Sequence, residues 1–310
     1  MTRAYVAAGV DVDAYERMLE RVKPLIAGTQ DAQVVTGVGP FAGLYRMPGG
    51  GLLAASADGV GTKIKVAVAA GRHRGIGLDL VNHCVNDIAT AGARPLFFLD
   101  YFAAGQLEAE VFTAVMEGLA EACRLNGCAL LGGETAEMPG VYDLGDYDLA
   151  GFVVGLVEDA APRPPVRAGD LLIGLPSSGL HTNGFSLVRR VFQGVPLEQE
   201  FPELGRPLGD ELLEPHRSYL KELQELEWKA AAHITGGGLT GNLPRVLPEG
   251  LCFRLDTGAW RVPPIFDLIQ RRGRISDREM MATFNQGIGM VLVSEEPLAG
   301  YPVIGEVVAA

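Results

Sequence analysis

An apolar run joins a glycine-rich turn at residues 52–63, Leu52-Leu53-Ala54-Ala55-Ser56-Ala57 followed directly by Asp58-Gly59-Val60-Gly61-Thr62-Lys63. The apolar run predicts a short buried strand, and the glycines predict a tight turn at its end. A carboxylate, a hydroxyl and a lysine on such a turn can bind a divalent cation and phosphate oxygens, because glycine lets backbone N–H groups approach an anion. A glycine-rich turn ending in a solvated lysine is the simpler alternative.

Outward from this segment, the hydrophobic periodicity alternates between helix and strand along all 310 residues. Helices are predicted at 13–26, 77–91, 107–125, 185–192 and about 215–227. Strands are predicted at 52–57, 95–101, 128–132, 148–157, 171–175, 289–293 and 303–308. Three prolines at 162, 164 and 165 interrupt this pattern and indicate a linker. The chain is therefore predicted to be an α/β (α+β) protein with domains at 1–160 and 170–310, joined by a linker at 161–169.

Composition excludes several classes of protein. A formal charge of −12 argues against a general nucleic-acid binder, which needs a basic surface. The sequence contains no apolar run long enough for a membrane span and no secretory leader, so a cytoplasmic protein is expected. The four cysteines form no CxxC pair, which favours reduced core thiols over zinc or a disulfide. The P-loop pattern is absent, and the GxGxxG match at 236–241 lacks a long preceding apolar strand and is soon followed by Pro244.

Other acidic residues could complete a magnesium site with Asp58. Asp87 falls among apolar neighbours on the helix predicted at 77–91, where an isolated carboxylate is costly without a partner. Glu134 and Glu137 follow a predicted buried strand, and α/β folds bind ligands at the carboxyl ends of strands. A helix-end aspartate and a turn with exposed acids are the alternatives. Magnesium prefers such carboxylate oxygens together with substrate phosphates.

Polar and glycine-rich segments of the second half could bind an anion. Residues 177–184 place hydroxyls, His181, Thr182 and Asn183 just before a predicted helix, whose free N–H groups favour phosphate. Capping of that helix by Thr182 or Asn183 is the alternative. The segment His233-Ile234-Thr235-Gly236-Gly237-Gly238 has a similar composition. His73 and His216 stand among charged residues and are predicted to be solvated.

Taken together, these segments resemble the phosphoribosylformylglycinamidine cyclo-ligase (aminoimidazole ribonucleotide synthetase) family of purine biosynthesis, over nearly the whole chain. The stretches that carry the resemblance are 58–63 (DGVGTK), 84–87 (CVND), 95–101 (PLFFLDY), 132–142 (GGETAEMPGVY), 177–188 (SSGLHTNGFSLV), 233–248 (HITGGGLTGNLPRVLP) and 283–290 (TFNQGIGM). Two positions depart from the family pattern. Tyr15-Glu16 replaces a usual Gly-Asn pair, and Gln286 stands where Cys or Met is commoner.

The resemblance implies that ATP phosphorylates the formyl amide oxygen of formylglycinamidine ribonucleotide, after which an amidine nitrogen closes the imidazole ring. It assigns catalytic roles to Asp58, Lys63 and His181. It implies Mg²⁺ at Asp58, Asp87 and Glu134, and it places Gly59, Gly61, Thr62 and Lys63 around the ATP phosphates. It adds Asn183, Gly184, Gly236, Gly237 and Gly238 to the ligand-binding set, around the substrate and its ribose phosphate. The family architecture implies a homodimer in which the N-terminal mixed sheets of two subunits form a barrel, beside a C-terminal α/β domain.

The element Asp-Gly-x-Gly-Thr-Lys is shared with related ATP-dependent enzymes, so these are alternatives. Selenophosphate synthetase carries a reactive Cys or selenocysteine near its N-terminus, whereas the first cysteine here is Cys84, in a predicted helix. Thiamine-phosphate kinase and the hydrogenase-maturation dehydratase are further alternatives, but the kinase does not account for GGETAEMPG or TFNQGIGM. A non-catalytic dimeric scaffold is a fourth alternative, although it would not need the acidic and basic residues named above.

Overall fold

A computed structural model describes residues 6–157 and 163–310. The helices and strands of the N-terminal half are α1 (Val12–Ala27), β1 (Gly43–Arg46), β2 (Leu52–Gly59), α2 (Lys63–Ala70), α3 (Arg74–Ala89), β3 (Ala93–Ala104), α4 (Ala109–Leu125), β4 (Ala129–Glu137) and β5 (Tyr147–Val157). Those of the C-terminal half are β6 (Leu171–Pro176), α5 (Phe185–Val191), α6 (Leu208–Leu212), α7 (Leu220–Glu225), β7 (Ala230–His233), α8 (Gly238–Asn242), β8 (Leu251–Leu255), α9 (Pro264–Gly273), α10 (Asp277–Thr283), β9 (Ile288–Ser294) and β10 (Val303–Ala309). The predicted α/β class is confirmed.

The N-terminal sheet is mixed and has the strand order β1-β2-β5-β3-β4. Its strand pairs are antiparallel except β3 and β4, which are parallel and are connected by helix α4. The predicted strand at 52–57 is β2, and it carries Asp58 and Gly59 at its end. Strand β4 lies at one edge of the sheet, and most of its residues are exposed to solvent.

Helices α3 and α4 cover one face of this sheet and cross each other at two glycines. A Cβ on Gly77 would lie 2.3 Å from the carbonyl oxygen of Val115, and a Cβ on Gly118 would lie 2.0 Å from that of Arg74. Both distances are too short for any side chain, so the two backbones approach closely only because both residues are glycine. Helix α3 is buried along almost its whole length, and it is the element that brings polar side chains into the interior.

The C-terminal sheet has the order β7-β9-β6-β10-β8, with every pair antiparallel. Strand β9 is buried at all seven positions, which agrees with the continuous apolar run that predicted it. The predicted linker at 161–169 falls between the two sheets, and part of it, including Pro162, lies outside the described residues. The domain limits of 1–160 and 170–310 remain a prediction.

The helix predicted at 215–227 is wrong in its first turns, because α7 begins only at Leu220. The preceding backbone lies along helix α3, where polar side chains bind it. The N–H of His216 donates to Asp79 Oδ1 at 2.7 Å, and Asn82 Nδ2 donates to the His216 carbonyl at 2.7 Å. Asn86 binds the next turn through the Arg217 carbonyl and the Tyr219 N–H. These side chains replace helical hydrogen bonds, so the segment is not helical.

Helix α1 forms as predicted, and apolar side chains on it are open to solvent, with Met18 57% and Leu25 73% exposed. The prediction of core thiols is only partly correct. All four cysteines are free thiols; Cys84 and Cys123 are buried, whereas Cys252 is exposed on β8 and is not a core residue. No helix within the described part of the chain combines the length and apolarity needed to cross a membrane.

Candidate active site

The predicted glycine-rich turn lines a cavity of about 290 Å³, which we call the Asp58 pocket. One wall is the turn after β2, and the opposite wall is the loop that enters helix α5. The residues lining the pocket are Val10, Asp58, Gly59, Val60, Gly61, Thr62, His83, Thr182, Asn183, Gly184, Phe185 and Ser186. The structure therefore brings together two segments that lie at least 120 positions apart in the sequence.

The backbone of both walls depends on glycine. Gly61 has φ +65° and Gly184 has φ +79°, in the left-handed region. A Cβ on Gly184 would also lie 2.2 Å from the Phe284 ring. The Thr62 and Ser186 hydroxyls meet across the pocket at 3.1 Å. Glycine backbone and the Thr62 and Ser186 hydroxyls therefore line the cavity, which suits an anionic ligand.

Lys63 does not face this pocket. Its side chain is fully buried, and its Nζ donates to Asp79 at 2.9 Å and to the Glu214 carbonyl at 2.8 Å. The ammonium also lies 5.7 Å from the centre of the Phe185 ring. In this arrangement Lys63 joins α2, α3 and the 214–219 segment. The sequence predicted that its ammonium faces the cavity beside the glycine-rich turn, but the ammonium points away from it.

A second, larger cavity of about 1120 Å³ adjoins the first, with Val10 lining both. Helix α1 forms one side, and Gly236, Gly237 and Arg245 form part of the other. A Cβ on Gly236 would lie 3.3 Å from Asn183 Oδ1, so the two predicted glycine-rich segments are neighbours. Gly237 has φ +94°, a conformation that glycine adopts without strain.

Gly238 has a different role from its two neighbours. It begins helix α8 with φ +59°, and a Cβ there would lie 2.2 Å from the Met281 carbonyl oxygen. It therefore permits α8 to pack against α10 and does not line either cavity. Nearby, Gln286 is buried and donates to the Met280 carbonyl at 3.3 Å. Gln286 therefore packs in the interior at a position where the family more often has Cys or Met.

Buried histidines form a cluster behind the Asp58 pocket, and the sequence did not predict that they meet. Its members are His83, His181, His216 and His233, each at most 3% exposed. The ring centres of His181 and His216 are 3.9 Å apart, and His83 lies 5.2 Å from His216 and 5.0 Å from His233. The prediction that His216 is solvated is wrong, because the contacts of its backbone with α3 place its ring in the interior.

A hydrogen bond to Asp87 and a close contact with Asp58 link the cluster to two predicted carboxylates. Asp58 Oδ2 lies 2.7 Å from His83 Nε2, and Asp87 Oδ1 lies 2.8 Å from His233 Nδ1. Asp87 Oδ2 also accepts from Ser56 at 2.9 Å. Asp58 remains 45% exposed in its side chain, whereas Asp87 is 6% exposed as a residue. Of the two, only Asp58 is open to a ligand in the pocket.

These contacts shift the pKa values of the cluster in opposite directions. Burial disfavours the charged form of His83, but Asp58, Asp87 and Asp79 outweigh it and raise its pKa to about 9. Burial would raise the pKa of Asp58, yet His83, together with the Gly59 N–H and His233, more than offsets this and lowers it. Burial, with neighbouring imidazoles and Lys63, holds the pKa of His181 and of His216 well below the usual value. In the absence of a bound cation, Asp58 and His83 therefore favour their charged forms, whereas His181 and His216 favour their neutral forms.

His181 and Glu134 lie away from the pocket opening. His181 is 1% exposed with φ +59°, and its Nε2 accepts from the Ser178 N–H at 3.2 Å. Glu134 is exposed on β4, in register with Tyr101 on β3, which pairs with Ala150 on β5 and thus with Gly59 on β2. Three strand spacings, roughly 14 Å, separate Glu134 from the end of β2. Within one chain a single ion cannot contact both Glu134 and Asp58.

Family models match both halves of the chain. Residues 30–157 match the AIR synthase related protein N-terminal domain, and residues 167–309 match the corresponding C-terminal domain. The phosphoribosylformylglycinamidine cyclo-ligase of Myxococcus xanthus is 53% identical, covering 94% of this chain and 89% of its own. The phosphoribosylformylglycinamidine cyclo-ligase of Sorangium cellulosum is 50% identical, covering 96% of this chain and 90% of its own.

Solved structures share the fold at low sequence identity. Thiamine monophosphate kinase from Aquifex aeolicus superposes with a TM-score of 0.63 and 17% identity, covering 94% of both chains. The structure of the hydrogenase maturation protein HypE in complex with ATP superposes with a TM-score of 0.61 and 19% identity, covering 96% of this chain and 87% of its own. On the sequence matches, the chain is an enzyme that belongs to the AIR synthase related protein family, alongside the phosphoribosylformylglycinamidine cyclo-ligases.

Proposed function

We propose that this protein closes the imidazole ring of formylglycinamidine ribonucleotide to give aminoimidazole ribonucleotide, using ATP. The observation that carries the proposal is the Asp58 pocket, in which a carboxylate, a glycine-rich turn and a helix-entry loop converge. The names of relatives about 50% identical over nearly the whole chain support it. The formyl amide oxygen is a poor leaving group, and its phosphorylation makes ring closure possible. The ring closes within one molecule, so positioning supplies much of the rate.

The donors around the Asp58 pocket fit a magnesium nucleotide. Asp58 offers an accessible carboxylate oxygen, and Thr62 and Ser186 offer hydroxyls, the hard ligands that Mg²⁺ prefers. The backbone of Gly59 and Gly61 is free of side chains that would keep phosphate away. Bound Mg²⁺ would neutralise charge on the phosphates. We assign Asp58 to the metal, and Gly59, Gly61 and Thr62 to the phosphates.

The larger cavity fits the nucleotide substrate, which carries a ribose phosphate. Arg17 and Arg245 line it and supply positive charge in a chain of net charge −12. The guanidinium of Arg245 is held by the Gly39 and Pro40 carbonyls at 3.0 and 3.1 Å. Because Asn183 lies where the two cavities meet, we place the reacting amide beside Asn183, between nucleotide and ribose phosphate.

Lys63 has a positioning role in this proposal. Its ion pair with Asp79 fixes the start of α2 directly after the glycine-rich turn. The turn then keeps its shape without a ligand, which lowers the cost of binding phosphate. His181 stays a candidate for proton transfer only if the loop 177–184 moves, because its ring is buried.

Release of phosphate from ATP tests the proposed reaction. With Mg²⁺ present, we expect phosphate release only when formylglycinamidine ribonucleotide is added, together with one aminoimidazole ribonucleotide per phosphate. Thiamine phosphate serves as the control substrate, because the fold is shared with thiamine monophosphate kinase. Turnover of thiamine phosphate, or phosphate release without either substrate, would contradict the proposal.

We propose that strand β4 pairs with a second copy of the chain. It is an edge strand whose Leu131 is 64% exposed, and unpaired edge strands with apolar side chains tend to associate.

Leu131→Glu is expected to shift the protein from dimer to monomer, because it brings two like charges together across the pair. Sedimentation velocity measures this. Leu125→Glu is the control, since Leu125 is 75% exposed but ends α4; a dimer unaffected by Leu131→Glu excludes this interface.

A further inference from the structure

Two imidazoles and a carboxylate converge in the interior, behind the Asp58 pocket. His83, Asp87 and His233 each offer a ligand atom, and these atoms all lie within 4.8 Å of one another. The exposed fractions of the three residues are 3%, 6% and 0%. A buried carboxylate is costly unless it has partners, and Asp87 lies between Ser56 at 2.9 Å and His233 at 2.8 Å.

Each imidazole turns one nitrogen toward a carboxylate. His83 Nε2 lies 2.7 Å from Asp58 Oδ2, and His233 Nδ1 lies 2.8 Å from Asp87 Oδ1. The His83 nitrogen does not have the alignment of a hydrogen bond, although it is fully buried. This nitrogen is buried and lies close to a carboxylate, but it is poorly aligned to share a proton with it. A bound cation could accept the lone pair of such a nitrogen.

The opposite nitrogens are held by neighbouring side chains. Thr182 Oγ1 lies 2.8 Å from His83 Nδ1, and His216 Nε2 lies 3.1 Å from His233 Nε2. If these outer nitrogens carry the ring protons, the inner ones present lone pairs toward the carboxylates. Such outer contacts typically fix the tautomer and orientation of metal-binding histidines. Thr182 and His216 would then orient the two ligands.

The cluster has a path to solvent through the Asp58 pocket. His83 lines this pocket together with Asp58, whose side chain is 45% exposed. An ion can therefore reach His83 from the cavity without opening either sheet. Asp58 and Asp87 bring two negative charges to the site, which a divalent cation would neutralise.

We propose that His83, Asp87 and His233 form a binding site for a divalent transition-metal ion such as Zn²⁺ or Co²⁺. Two imidazole nitrogens and one carboxylate oxygen favour these borderline ions over Mg²⁺, which prefers oxygen ligands. This site goes beyond the proposed function, which requires only Mg²⁺ and nucleotide at the Asp58 pocket. Asp58 faces both the pocket and His83, so an ion bound by the cluster would also change the charge of the pocket.

Titration of the metal-stripped full-length chain with Co²⁺, without nucleotide, tests the site. We expect one Co²⁺ per chain, with visible d–d absorption of nitrogen and oxygen ligation. Excess Mg²⁺ should leave this absorption unchanged, and Zn²⁺ should abolish it. His83→Gln and His233→Gln should each weaken Co²⁺ binding at least about tenfold, the scale of losing a metal-site contact.

The control is His73→Gln, because His73 is half-buried and bonded to Tyr147 outside the cluster. It should bind Co²⁺ like the unmodified protein. Thermal melting identifies variants that fail to fold. If His233→Gln fails to fold, the result with His83→Gln tests the site, since Asp58, the partner of His83, is half-exposed. The absence of stoichiometric Co²⁺ binding, or its persistence in His83→Gln, overturns the site. Either result leaves phosphate release with Mg²⁺ intact, so the proposed function stands or fails separately.

Discussion

Lys63→Met is expected to lower the free energy of unfolding by about 3–5 kcal/mol, the usual cost of removing one partner of a buried ion pair. Both side chains of the Lys63–Asp79 pair are 0% exposed, so water cannot replace the lost ammonium. Burial raises the pKa of Asp79 even with Lys63 present, and it will rise further without it. Since protonation neutralises the orphaned carboxylate, the loss of stability should be larger at pH 8 than at pH 5. Urea unfolding at the two pH values measures both effects.

Two variants make the Lys63 experiment specific. Lys63→Met combined with Asp79→Asn should recover part of the lost stability, because a neutral amide replaces the buried charge and can still accept from the His216 N–H. Lys65→Met removes an exposed ion pair with Asp146 and should cost less than about 1 kcal/mol. If Lys63→Met unfolds like the unmodified protein but binds ATP poorly, Lys63 is a phosphate ligand and its positioning role is wrong.

Asp58→Asn is expected to reduce the rate of phosphate release at least about 100-fold, the scale of losing one charged or hydrogen-bonding group that stabilises a transition state. The asparagine side chain can still accept from the Gly59 N–H, which now donates to Asp58 Oδ1 at 2.7 Å, so the turn should keep its shape. It loses the negative charge that binds Mg²⁺, and the remaining activity should need more Mg²⁺. Initial rates over a range of Mg²⁺ concentrations measure this.

Asp31→Asn is the matched control for Asp58→Asn. Asp31 is exposed and does not line the pocket, and its Oδ1 accepts from the Gln33 N–H at 3.0 Å, a comparable local contact. Its rate and Mg²⁺ dependence should be unchanged. Activity of Asp58→Asn within a few-fold of the unmodified protein would remove Asp58 from the metal site.

Local patterns predicted most strands and helices because each has its own periodicity. The strand at 52–57 and the helix at 107–125 were confirmed with small shifts at their ends. The helix expected from Pro215 was wrong because Asp79, Asn82 and Asn86 bind the 214–219 backbone from a helix more than 130 positions away. Such long-range hydrogen bonds leave no periodic signal in the segment that they hold.

The sequence by itself determined the family, the α/β class and the glycine-rich turn beside Asp58, since these depend on short motifs and on local backbone freedom. Only the tertiary structure decided which charges face the cavity. It turns the Lys63 ammonium inward, because Asp79 and the Glu214 carbonyl offer it a better partner than solvent, and it leaves Glu134 three strands from Asp58. It also gathers four histidines from distant segments, because burial and hydrogen bonding act between residues close in space, at any separation along the chain.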